Sequence, residues 1–492
     1  MGLDEIVKLG LEKGFFFPSA EIYSNAPAGF WEYGHLGAIL KQKYIQAWYR
    51  LMVRYDDMVL IDGSQILPRD VFVASGHLNT FADPVSRCLS CNAIHRIDRL
   101  LEELLSIKVP ERTPPEEIDR LVRERGVKCP LCGGELGKVS LFNMMFKVSV
   151  GAAGEEAYLR PETCQNIFVD FLRLYKISRR HLPIAVAQVG KSFRNEVSPR
   201  QSLIRLREFT QAEVEVFYAP HRANDLSKAE TVRNYALNLE IDDEVKPVPC
   251  WEAVEKGLVS SWLAAYYLAL TQSFYISIGL PRENLRFRKL GDDEKAFYAA
   301  EAWDLEVRTE EGWVELVACN NRTDYDLGGH ARVSGVDLKV VEDGQSFIPH
   351  VFELSMGVDR SILALLEIGY RVEGGRAVLK LHPFLAPYTA AVFPLVSRKE
   401  LVEPAKKIYK SLKTWFDVFY DESGSIGRRY RRQDEIGTPY CITVDYQTLE
   451  DGTVTVRYRD TMQQTRVKVE ELQQYLTQGT VLVNRELGET QL

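Results

Sequence analysis

The sequence predicts an α+β protein: an antiparallel sheet with flanking helices, a cysteine-rich insertion and a C-terminal α/β domain. Two segments within Gln188–Phe217 alternate apolar and polar residues, as strands do. Two Cys-x2-Cys pairs precede them, and a regular succession of strands and helices follows His382. These three observations indicate a sheet-based body, a metal-binding insertion and a separate C-terminal domain.

Length and composition limit the possible classes of protein. The 492 residues suffice for two to four domains, and 46% hydrophobic residues suffice for a large core. No run approaches about 18 uninterrupted apolar residues, and the amino terminus lacks the layout of a secretory signal, so we expect a cytoplasmic protein without a membrane segment. The net charge of −8 argues against a general nucleic-acid coat, but 61 Lys and Arg residues permit a local basic site.

A charged sheet face is predicted within Gln188–Phe217. In the first strand, alternation places Arg194 and Glu196 opposite Val189 and Phe193. In the second strand, it places Arg207, Phe209, Gln211 and Glu213 opposite Ala212, Val214 and Val216. A half-solvated surface sheet alternates in the same way. The mixture of arginines, carboxylates and a phenyl ring favours a ligand with a phosphate, a flat ring and an ammonium group.

These residues resemble motif 2 of class II aminoacyl-tRNA synthetases, Phe-Arg-x-Glu followed by an Arg-Glu-Phe strand, in a form similar to that of glycyl-tRNA synthetases. The resemblance implies the class II antiparallel sheet. It also implies ATP-dependent ligation of glycine to tRNA(Gly) through a glycyl-adenylate, with Mg²⁺. The sequence contains no P-loop and no dinucleotide-binding fingerprint, so the ATP site is expected to be of another kind.

A helix and a strand near the amino terminus resemble motif 1. A helical stripe from Leu36 to Met52 is followed by a strand from Met58 to Ile61, and the segment reaches Pro68. In class II synthetases motif 1 packs across a two-fold interface, so the resemblance implies a homodimer. Periodicity alone does not say what an apolar face packs against.

Two cysteine knuckles predict a structural zinc site formed by Cys88, Cys91, Cys129 and Cys132. The spacing turns both sulfurs of a knuckle towards one ion. Gly-Gly after the second knuckle allows the tight backbone turn of the knuckle without strain. Buried free thiols are the alternative. His95 could replace one sulfur, but we expect it at the surface beside Arg96. The charged helical segment between the knuckles, Leu100 to Arg125, is expected to be an insertion.

Two further segments match glycyl-tRNA synthetases. Arg96-Ile97-Asp98 matches their Arg-Ala-Asp, which implies that Arg96 lies at the substrate. Arg-Pro-Glu-Thr at 160–163 implies that Glu162 binds the amino group of glycine. Without the resemblance, Glu162 would be interpreted as a surface carboxylate at a helix start.

Two later strands add charge to the predicted site. Glu315 is the only charge in the strand Trp313–Ala318, and a buried carboxylate in an ATP site has a divalent cation as its natural partner. In Val351–Leu366, a strand with Glu353 and Ser355 on one face breaks at Gly357 into a helix whose first turn holds Arg360. An arginine there indicates a bound anion. This segment resembles motif 3. Possible neighbours of the site are Arg322, Asp324 and Asp326.

After His382 the pattern predicts the order β-α-β-α-β-β-α. Its second helix-forming stretch is basic, with Arg428, Arg429, Arg431 and Arg432 around an aromatic residue. These arginines suit either a solvated helix face or contacts with RNA phosphates and unpaired bases. The region resembles the anticodon-binding domain shared by glycyl, histidyl, prolyl and threonyl synthetases, which implies that the four arginines bind tRNA.

The resemblance assigns residues to each substrate. The catalytic residues are Arg194, Glu315 and Arg360. The ATP-binding residues are Arg194, Asn195, Glu196, Ile204, Arg205, Leu206, Arg207, Glu208, Phe209, Glu315, Leu316, Gly357, Val358, Asp359 and Arg360. The glycine-binding residues are Arg96, Glu162, Phe209, Thr210, Gln211, Ala212, Glu213, Glu353 and Ser355.

We expect four parts in the chain. The catalytic domain comprises residues 1–80, with motif 1, and 146–382, with motifs 2 and 3 and a helical insertion at about 220–290. Residues 81–145 form the zinc-binding insertion and residues 383–492 the anticodon-binding domain.

Two other functions stay open. A same-subclass synthetase for threonine, serine or proline is one, although three carboxylates around an ammonium argue against it. A non-catalytic, zinc-bearing nucleic-acid-binding relative is the other. Such a protein has no reason to retain Arg194, Glu196 and Arg360 together.

Overall fold

The computed structural model describes residues 2–107, 109–110, 113–179, 181–197, 199, 202–292, 294–296, 298–484 and 486–487. The elements up to residue 80 are α1 (Leu3–Lys13), β1 (Phe16–Pro18), β2 (Trp31–Tyr33), α2 (His35–Trp48), β3 (Val59–Ile61), β4 (Ile66–Pro68), α3 (Arg69–Ala74) and α4 (His77–Thr80). Those from 81 to 145 are β5 (Ala82–Arg87), β6 (Ile94–Arg96), α5 (Ile97–Leu105), α6 (Pro115–Glu124) and β7 (Ser140–Asn143).

The largest group of elements lies between residues 146 and 382. They are β8 (Lys147–Val150), β9 (Glu155–Leu159), α7 (Cys164–Val169), α8 (Phe171–Ile177), β10 (Ile184–Phe193), β11 (Glu208–Tyr218), β12 (Ala236–Ile241), β13 (Glu244–Pro249), α9 (Cys250–Glu255), α10 (Trp262–Ser277), β14 (Leu285–Lys289), β15 (Glu301–Thr309), β16 (Gly312–Thr323), α11 (Tyr325–Ser334), β17 (Val340–Glu342), β18 (Gln345–Phe347), β19 (His350–Gly357), α12 (Val358–Gly369), β20 (Tyr370–Glu373) and β21 (Arg376–Leu379).

The remaining elements are β22 (Ala390–Pro394), α13 (Lys399–Leu412), β23 (Val418–Tyr420), α14 (Ile426–Ile436), β24 (Tyr440–Val444), α15 (Tyr446–Asp451), β25 (Thr453–Tyr458), β26 (Gln464–Lys468) and α16 (Leu472–Gly479). None of the helices in the described part of the chain combines the length and the apolar composition that crossing a lipid bilayer requires.

The central sheet has nine strands in the described part of the chain, in the order β13-β12-β14-β15-β16-β19-β11-β10-β3. Its middle strands, from β14 to β10, pair antiparallel, whereas β3 joins β10 and β12 joins β14 in parallel. Helices flank this sheet, which confirms the predicted fold class.

The two faces of β11 differ as the alternation predicts. Ala212, Val214 and Val216 lie in the main hydrophobic core, to which α10 and α12 also contribute. The opposite face carries Gln211 and Glu213. Since directly paired residues of neighbouring strands share a face, the pairing of β11 with β19 brings the charged residues of both strands to one side of the sheet.

The first predicted strand is shorter than expected. β10 ends at Phe193, so Arg194 and Glu196 lie in the loop that follows it and not on its face. The chain leaves the sheet there because the backbone N–H of Asn195 donates to the carbonyl oxygen of Met144 at 2.8 Å and that of Glu196 to Arg194 at 2.7 Å.

The prediction of a helical insertion at about 220–290 is wrong in part. α10 is present and buried along most of its length, but β12, β13 and β14 from the same region extend the central sheet. β12 and β13 form a hairpin whose turn residues, Asp242 and Asp243, have φ angles of 55° and 63°. Aspartate tolerates this left-handed conformation, so the Asp-Asp pair in the sequence could have predicted a hairpin turn.

The insertion between the cysteine knuckles has a small core of its own. α5 and α6 pack together through Ile97, Leu101, Ile118 and Val122. The strands around them form a sheet in the order β6-β5-β7. The expected helical segment is thus two helices, which end and begin at Leu105 and Pro115; residues 108, 111 and 112 between them lie outside the described residues.

The C-terminal sheet has the order β23-β22-β24-β25-β26, and its first three strands are parallel. The predicted order of elements omitted α15 and β26. Both are short, and β26 contributes a single buried residue, Val467, so its sequence carries little alternation. Asp434 of α14 joins this domain to the preceding hairpin, since it pairs with Arg457 at 2.9 Å and with Arg376 of β21 at 3.0 Å.

Candidate active site

A cavity of about 440 Å³ opens over the charged face of β11, β16 and β19. This volume is within the range of small-molecule sites, about 300–1,000 Å³. The residues around it are Arg99, Glu162, Arg194, Glu196, Leu203, Ile204, Arg205, Leu206, Phe209, Thr210, Gln211, Tyr298, Glu315, Ala318, Asn320, Glu353, Ser355, Gly357, Asp359 and Arg360. A second cavity of about 580 Å³ adjoins it and shares Glu162, Arg194, Glu196 and Tyr298.

Arg194 is held at the junction of the two cavities. Its Nε donates to the carbonyl oxygen of Pro161 at 3.1 Å. Its guanidinium carbon lies 5.3 Å from the centre of the Phe209 ring and 5.4 Å from that of Phe81. A cation held against aromatic rings keeps a defined orientation, which suits contact with a phosphate.

Glu196 and Arg205 form the side of the cavity next to Arg194. A nitrogen of Arg205 lies 2.7 Å from Oε2 of Glu196. This ion pair therefore joins the beginning and the end of the connection between β10 and β11.

Arg360 and Glu315 face each other at one end of the cavity. Arg360 lies in the first turn of α12, as predicted. Its Nη1 donates to the carbonyl oxygen of Glu315 at 2.9 Å and lies 3.2 Å from Oε1 of the same residue. The prediction that Glu315 is buried is wrong, since its side chain is 43% exposed. The first four residues of β16 extend beyond the buried part of the sheet.

Three buried carboxyl groups lie close enough to affect one another's pKa: Glu162 and Glu353, which line the cavity, and Glu213. Burial raises the pKa of Glu353 to about 7, although Arg322 donates to it at 2.8 Å. Burial also raises the pKa of Glu213. For Glu162, burial is outweighed by the charges of His77 and Arg322, which hold its pKa well below its usual range. Such a group of acids attracts a small cation.

Both oxygens of Glu213 are held by neighbouring side chains. Oε1 accepts hydrogen bonds from Ser355 Oγ at 2.8 Å and from Gln211 Nε2 at 3.1 Å. Oε2 accepts one from Thr163 Oγ1 at 2.5 Å. Ser355 and Glu213 are therefore fixed side by side, and little room is left between them.

Asp359 ties the amino-terminal segment to the bottom of the cavity. Its Oδ1 accepts from the hydroxyl of Tyr33 at 2.6 Å, and Lys41 of α2 lies 3.4 Å from the same atom. Its Oδ2 accepts from the backbone N–H of Thr210 at 2.6 Å. Nζ of Lys41 also donates to Oγ1 of Thr210 at 2.5 Å. α2 thereby contributes to the position of β11 and α12.

Several predicted site residues point away from the cavity. The side chains of Ala212, Leu316 and Val358 lie in the main core. For the strand residues Ala212 and Leu316 this is because neighbours of cavity-facing residues in a strand point to the opposite face. Arg207 donates to the carbonyl oxygens of Ala28 and Glu196. Glu208 pairs with Lys191 at 3.0 Å, and Asn195 is bonded through its backbone to Met144.

Arg96 lies beside the second cavity and not the first. It pairs with Asp98 at 2.8 Å and with Asp83 at 2.9 Å. Its contact with a substrate stays a prediction.

Five residues around the first cavity were not predicted: Arg99, Leu203, Tyr298, Ala318 and Asn320. Ala318 and Asn320 share a face of β16, so alternation could have identified them. Leu203 lies in the loop between the two strands of motif 2, where no periodicity applies. Arg99 and Tyr298 come from segments that only the tertiary fold brings to the sheet.

The four cysteines of the two knuckles meet in one cluster. Their sulfur atoms all lie within 4.8 Å of one another. Cys88 and Cys132 are 3.5 Å apart, and Cys91 and Cys129 are 3.7 Å apart. Zn–S bonds of about 2.3 Å in a tetrahedron give S–S distances of roughly 3.8 Å, so this donor set fits zinc.

The sequence predicted that His95 lies at the surface, and the structure differs from this prediction. His95 is half-buried, and its Nε2 lies 3.2 Å from the sulfur of Cys129. It therefore contacts the cysteine cluster at Cys129.

The arginines of α14 divide into two sets. Arg428, Arg431 and Arg432 are exposed, although Arg432 also pairs with Asp421 at 2.7 Å. Arg429 is only 1% exposed and donates to backbone carbonyls, including that of Pro394 at 2.5 Å. Its predicted contact with tRNA is wrong, because the helical period turns this position towards the domain interior.

The fold and two family models define the class of protein. Residues 146–241 match the tRNA synthetase class II core domain (G, H, P, S and T), and residues 389–479 match the anticodon binding domain. A structure described as the RNA binding domain of threonyl-tRNA synthetase from Cryptosporidium parvum Iowa II has a TM-score of 0.61 at 19% identity, over 97% of this chain and 98% of that chain. The structure of prolyl-tRNA synthetase from Cryptosporidium parvum has a TM-score of 0.58 at 13% identity, over 98% of this chain and 76% of that chain. The fold is that of class II tRNA synthetases.

Similar sequences identify the family within this class. The glycine–tRNA ligase of Methanothrix thermoacetophila is 38% identical over 95% of each chain. That of Methanocaldococcus jannaschii is 39% identical over 96% of this chain and 98% of the relative. That of Pyrococcus furiosus is 40% identical over 94% and 96%. The chain belongs to the glycine–tRNA ligase family, as the resemblance in motif 2 implied.

Proposed function

We propose that the protein ligates glycine to tRNA(Gly) in two steps, through a glycyl-adenylate formed from glycine and ATP. The observation that carries the proposal is the proximity of Glu162, Glu213 and Glu353 to one another, beside Ser355, at a cavity that Arg194 also lines. The activity of the curated relatives, named glycine–tRNA ligases, supports it.

ATP binds on the charged face of the sheet. Phe209 stacks on the adenine, Glu196 lies near its amino edge, Arg194 holds the α-phosphate and Arg360 the γ-phosphate. Glu315, at the exposed end of β16, would supply an oxygen ligand to Mg²⁺, and the bound ion would supply positive charge beside the phosphates.

In the first step a carboxylate oxygen of glycine attacks the α-phosphorus of ATP. The bond between the α-phosphorus and the oxygen that bridges the α- and β-phosphates breaks, and pyrophosphate leaves with that oxygen. No general base is required, because the nucleophile is already a carboxylate. Arg194 stabilises the charge that develops at the α-phosphate, and the remaining gain comes from positioning.

Glycine is recognised by its two charged ends. Its ammonium lies among Glu162, Glu213 and Glu353, and Arg96 is the proposed partner of its carboxylate. Ser355, fixed at 2.8 Å from Glu213, fills the space that a β-carbon needs. A rigid wall of this kind excludes larger amino acids, so no editing site is required.

In the second step the glycyl group is transferred to the terminal ribose of tRNA, at the 3′-hydroxyl according to the class II pattern. The C-terminal domain binds the anticodon, and Arg428, Arg431 and Arg432 are its proposed RNA contacts. The cysteine cluster binds structural zinc, and the protein is a homodimer.

Glycine-dependent ATP–pyrophosphate exchange tests the function. We expect exchange with glycine and none with threonine, serine or proline. Replacing Arg194 by Ala lowers kcat/KM by about 100- to 1,000-fold, since removing one donor to a developing charge has an effect of this size. The exposed Arg173 of α8 provides a matched control, Arg173→Ala, with unchanged exchange.

Each alternative function has its own outcome in this experiment. Exchange with a different amino acid would identify another synthetase of the subclass. Absence of exchange with all of them, in a folded protein that binds tRNA, would identify a non-catalytic relative.

A further inference from the structure

A short segment outside the three motifs, Ser75–Phe81, lies against both proposed substrate subsites. It comprises Ser75, which follows α3 as its C-cap, then Gly76, α4 and Phe81. Gly76 has a φ of 83°, and this left-handed conformation allows the sharp turn between the helices. We call it the 75–81 segment.

The 75–81 segment is fixed to the strand β7 and the residues after it. Nδ2 of Asn143 donates to the carbonyl oxygens of His77 at 3.2 Å and Leu78 at 3.1 Å. The backbone N–H of Met144 donates to the carbonyl oxygen of Phe81 at 3.1 Å. The side chains of His77 and Phe81 therefore project from an anchored backbone.

His77 contacts the carboxylate proposed to bind the ammonium of glycine. Its Nε2 lies 3.4 Å from Oε1 of Glu162, and the two side chains are 12% and 11% exposed. Its Nδ1 lies 2.8 Å from Oγ of Ser75. The ring is therefore oriented by one neighbour on each nitrogen.

The same oxygen of Glu162 has a second donor. Nε2 of Gln165 lies 2.8 Å from Oε1, and Oε1 of Gln165 in turn contacts Nε2 of His330 at 3.1 Å. Two side chains from different elements thus hold Oε1 of this buried carboxylate.

Phe81 contacts the arginine proposed to bind the α-phosphate. Its ring centre lies 5.4 Å from the guanidinium carbon of Arg194, and that of Phe209 lies 5.3 Å away. The rings of His77 and Phe81 are themselves in edge contact, with their centres 5.3 Å apart.

We propose that His77 and Phe81 are positioning residues: His77 fixes Glu162 for the ammonium of glycine, and Phe81 fixes Arg194 for the α-phosphate of ATP. The 75–81 segment then sets the distance between the two reacting substrates. This inference rests on the proposed function.

The experiment measures steady-state pyrophosphate exchange with glycine and with ATP varied separately. We expect His77→Ala to raise KM for glycine about 10- to 100-fold, because a buried acceptor loses a donor, and to leave KM for ATP within about two-fold. We expect Phe81→Leu to lower kcat/KM for ATP about 3- to 30-fold and to leave KM for glycine within about two-fold.

Conservative variants separate positioning from folding. His77→Gln retains a donor and Phe81→Tyr retains a ring face. The first should therefore keep KM for glycine, and the second kcat/KM for ATP, close to the wild-type values. His221 is exposed and lies at neither cavity, so His221→Ala serves as the control. Thermal unfolding of each variant is measured alongside.

The outcomes separate the inference from the proposed function. Wild-type exchange with glycine, together with unchanged kinetics of both variants or an equal loss for both substrates, overturns the inference alone. Absence of glycine-dependent exchange in the wild type overturns the proposed function, and the inference with it.

Discussion

Glu353 lies beneath the cavity with a carboxyl group that burial makes costly to ionise. Arg322 and Asn320 donate to it at 2.8 and 2.7 Å, yet its pKa is raised to about 7 by burial. Below about pH 7 this group is protonated in the free protein, and the positive ammonium of glycine loses one of its three proposed partners.

The pH dependence of glycine use follows from this pKa. As pH rises through about 7, Glu353 becomes charged, so kcat/KM for glycine should rise between pH 5.5 and 8. The Glu353→Gln variant should have a higher KM for glycine and lack this rise. Glu470→Gln, at an exposed position of the C-terminal domain, should retain the wild-type profile. A flat wild-type profile would contradict the assignment.

Single residues were predictable where alternation or a motif applied and not where tertiary contacts decide. Glu213 and Ser355 follow from strand alternation and lie side by side. Glu315 was predicted to be buried because it is the only charge of an apolar segment, but the end of β16 is open. No local pattern connects Tyr298 or Arg99 to the sheet, although both lie at the cavity.

At the scale of elements, α14 shows how one basic stretch serves two purposes. Arg429 faces inward and bonds to backbone carbonyls of the β22 end and the following loops. Arg428, Arg431 and Arg432 face outward. Arg429 therefore fixes the helix to the rest of the domain, and the other three arginines are exposed to solvent.

Stability and RNA binding should therefore respond to different arginines. Arg429→Ala should lower the free energy of unfolding by about 1–3 kcal/mol, because buried carbonyl oxygens lose their donor. Arg431→Ala should leave unfolding unchanged and weaken tRNA binding, with a smaller salt dependence. Chemical denaturation and filter binding measure the two effects. Equal destabilisation by both variants would show that the outward side is structural as well.

The cysteine cluster should bind one zinc ion per chain. Elemental analysis measures the content, and a chelator should release it. Loss of the ion frees both knuckles and should destabilise the insertion by more than about 4 kcal/mol, as losses of structural metal do. Cys132→Ser should reproduce the effect, whereas Cys250→Ser, at a buried cysteine outside the cluster, should retain the zinc. Full thermal stability without metal would contradict a structural role.

Elements with strong periodicity were predictable and weakly patterned ones were not. The bounds of α13, Lys399–Leu412, follow from its helical stripe. β13 is the edge strand of the central sheet, and it contains two prolines and a single buried residue. An edge strand needs no continuous apolar face, so its sequence resembles that of a loop.

At the scale of the whole molecule, β3 leaves the end of the central sheet open. It is the last strand in the order, and its Leu60 is 47% exposed. An exposed edge with apolar residues is a template for pairing with another chain. This edge, together with α2, is the surface that the predicted homodimer would cover.

A charge on this edge should separate the two chains. Leu60→Lys should convert the dimer into a monomer in sedimentation velocity experiments, since lysine disfavours pairing at an edge strand. Val372 of β20 is 60% exposed, and Val372→Lys should leave the dimer intact. A wild-type protein that sediments as a monomer at micromolar concentration would exclude the dimer.

The contacts from Lys41 through Asp359 to Thr210 connect α2, part of the predicted dimer interface, to the candidate active site. α2 reaches from the proposed contact between chains to the base of the nucleotide site. If the predicted dimer dissociates on dilution, this network should lose support at the residues proposed to bind ATP. For the predicted homodimer, turnover per chain should therefore fall on dilution, in step with dissociation of the two chains.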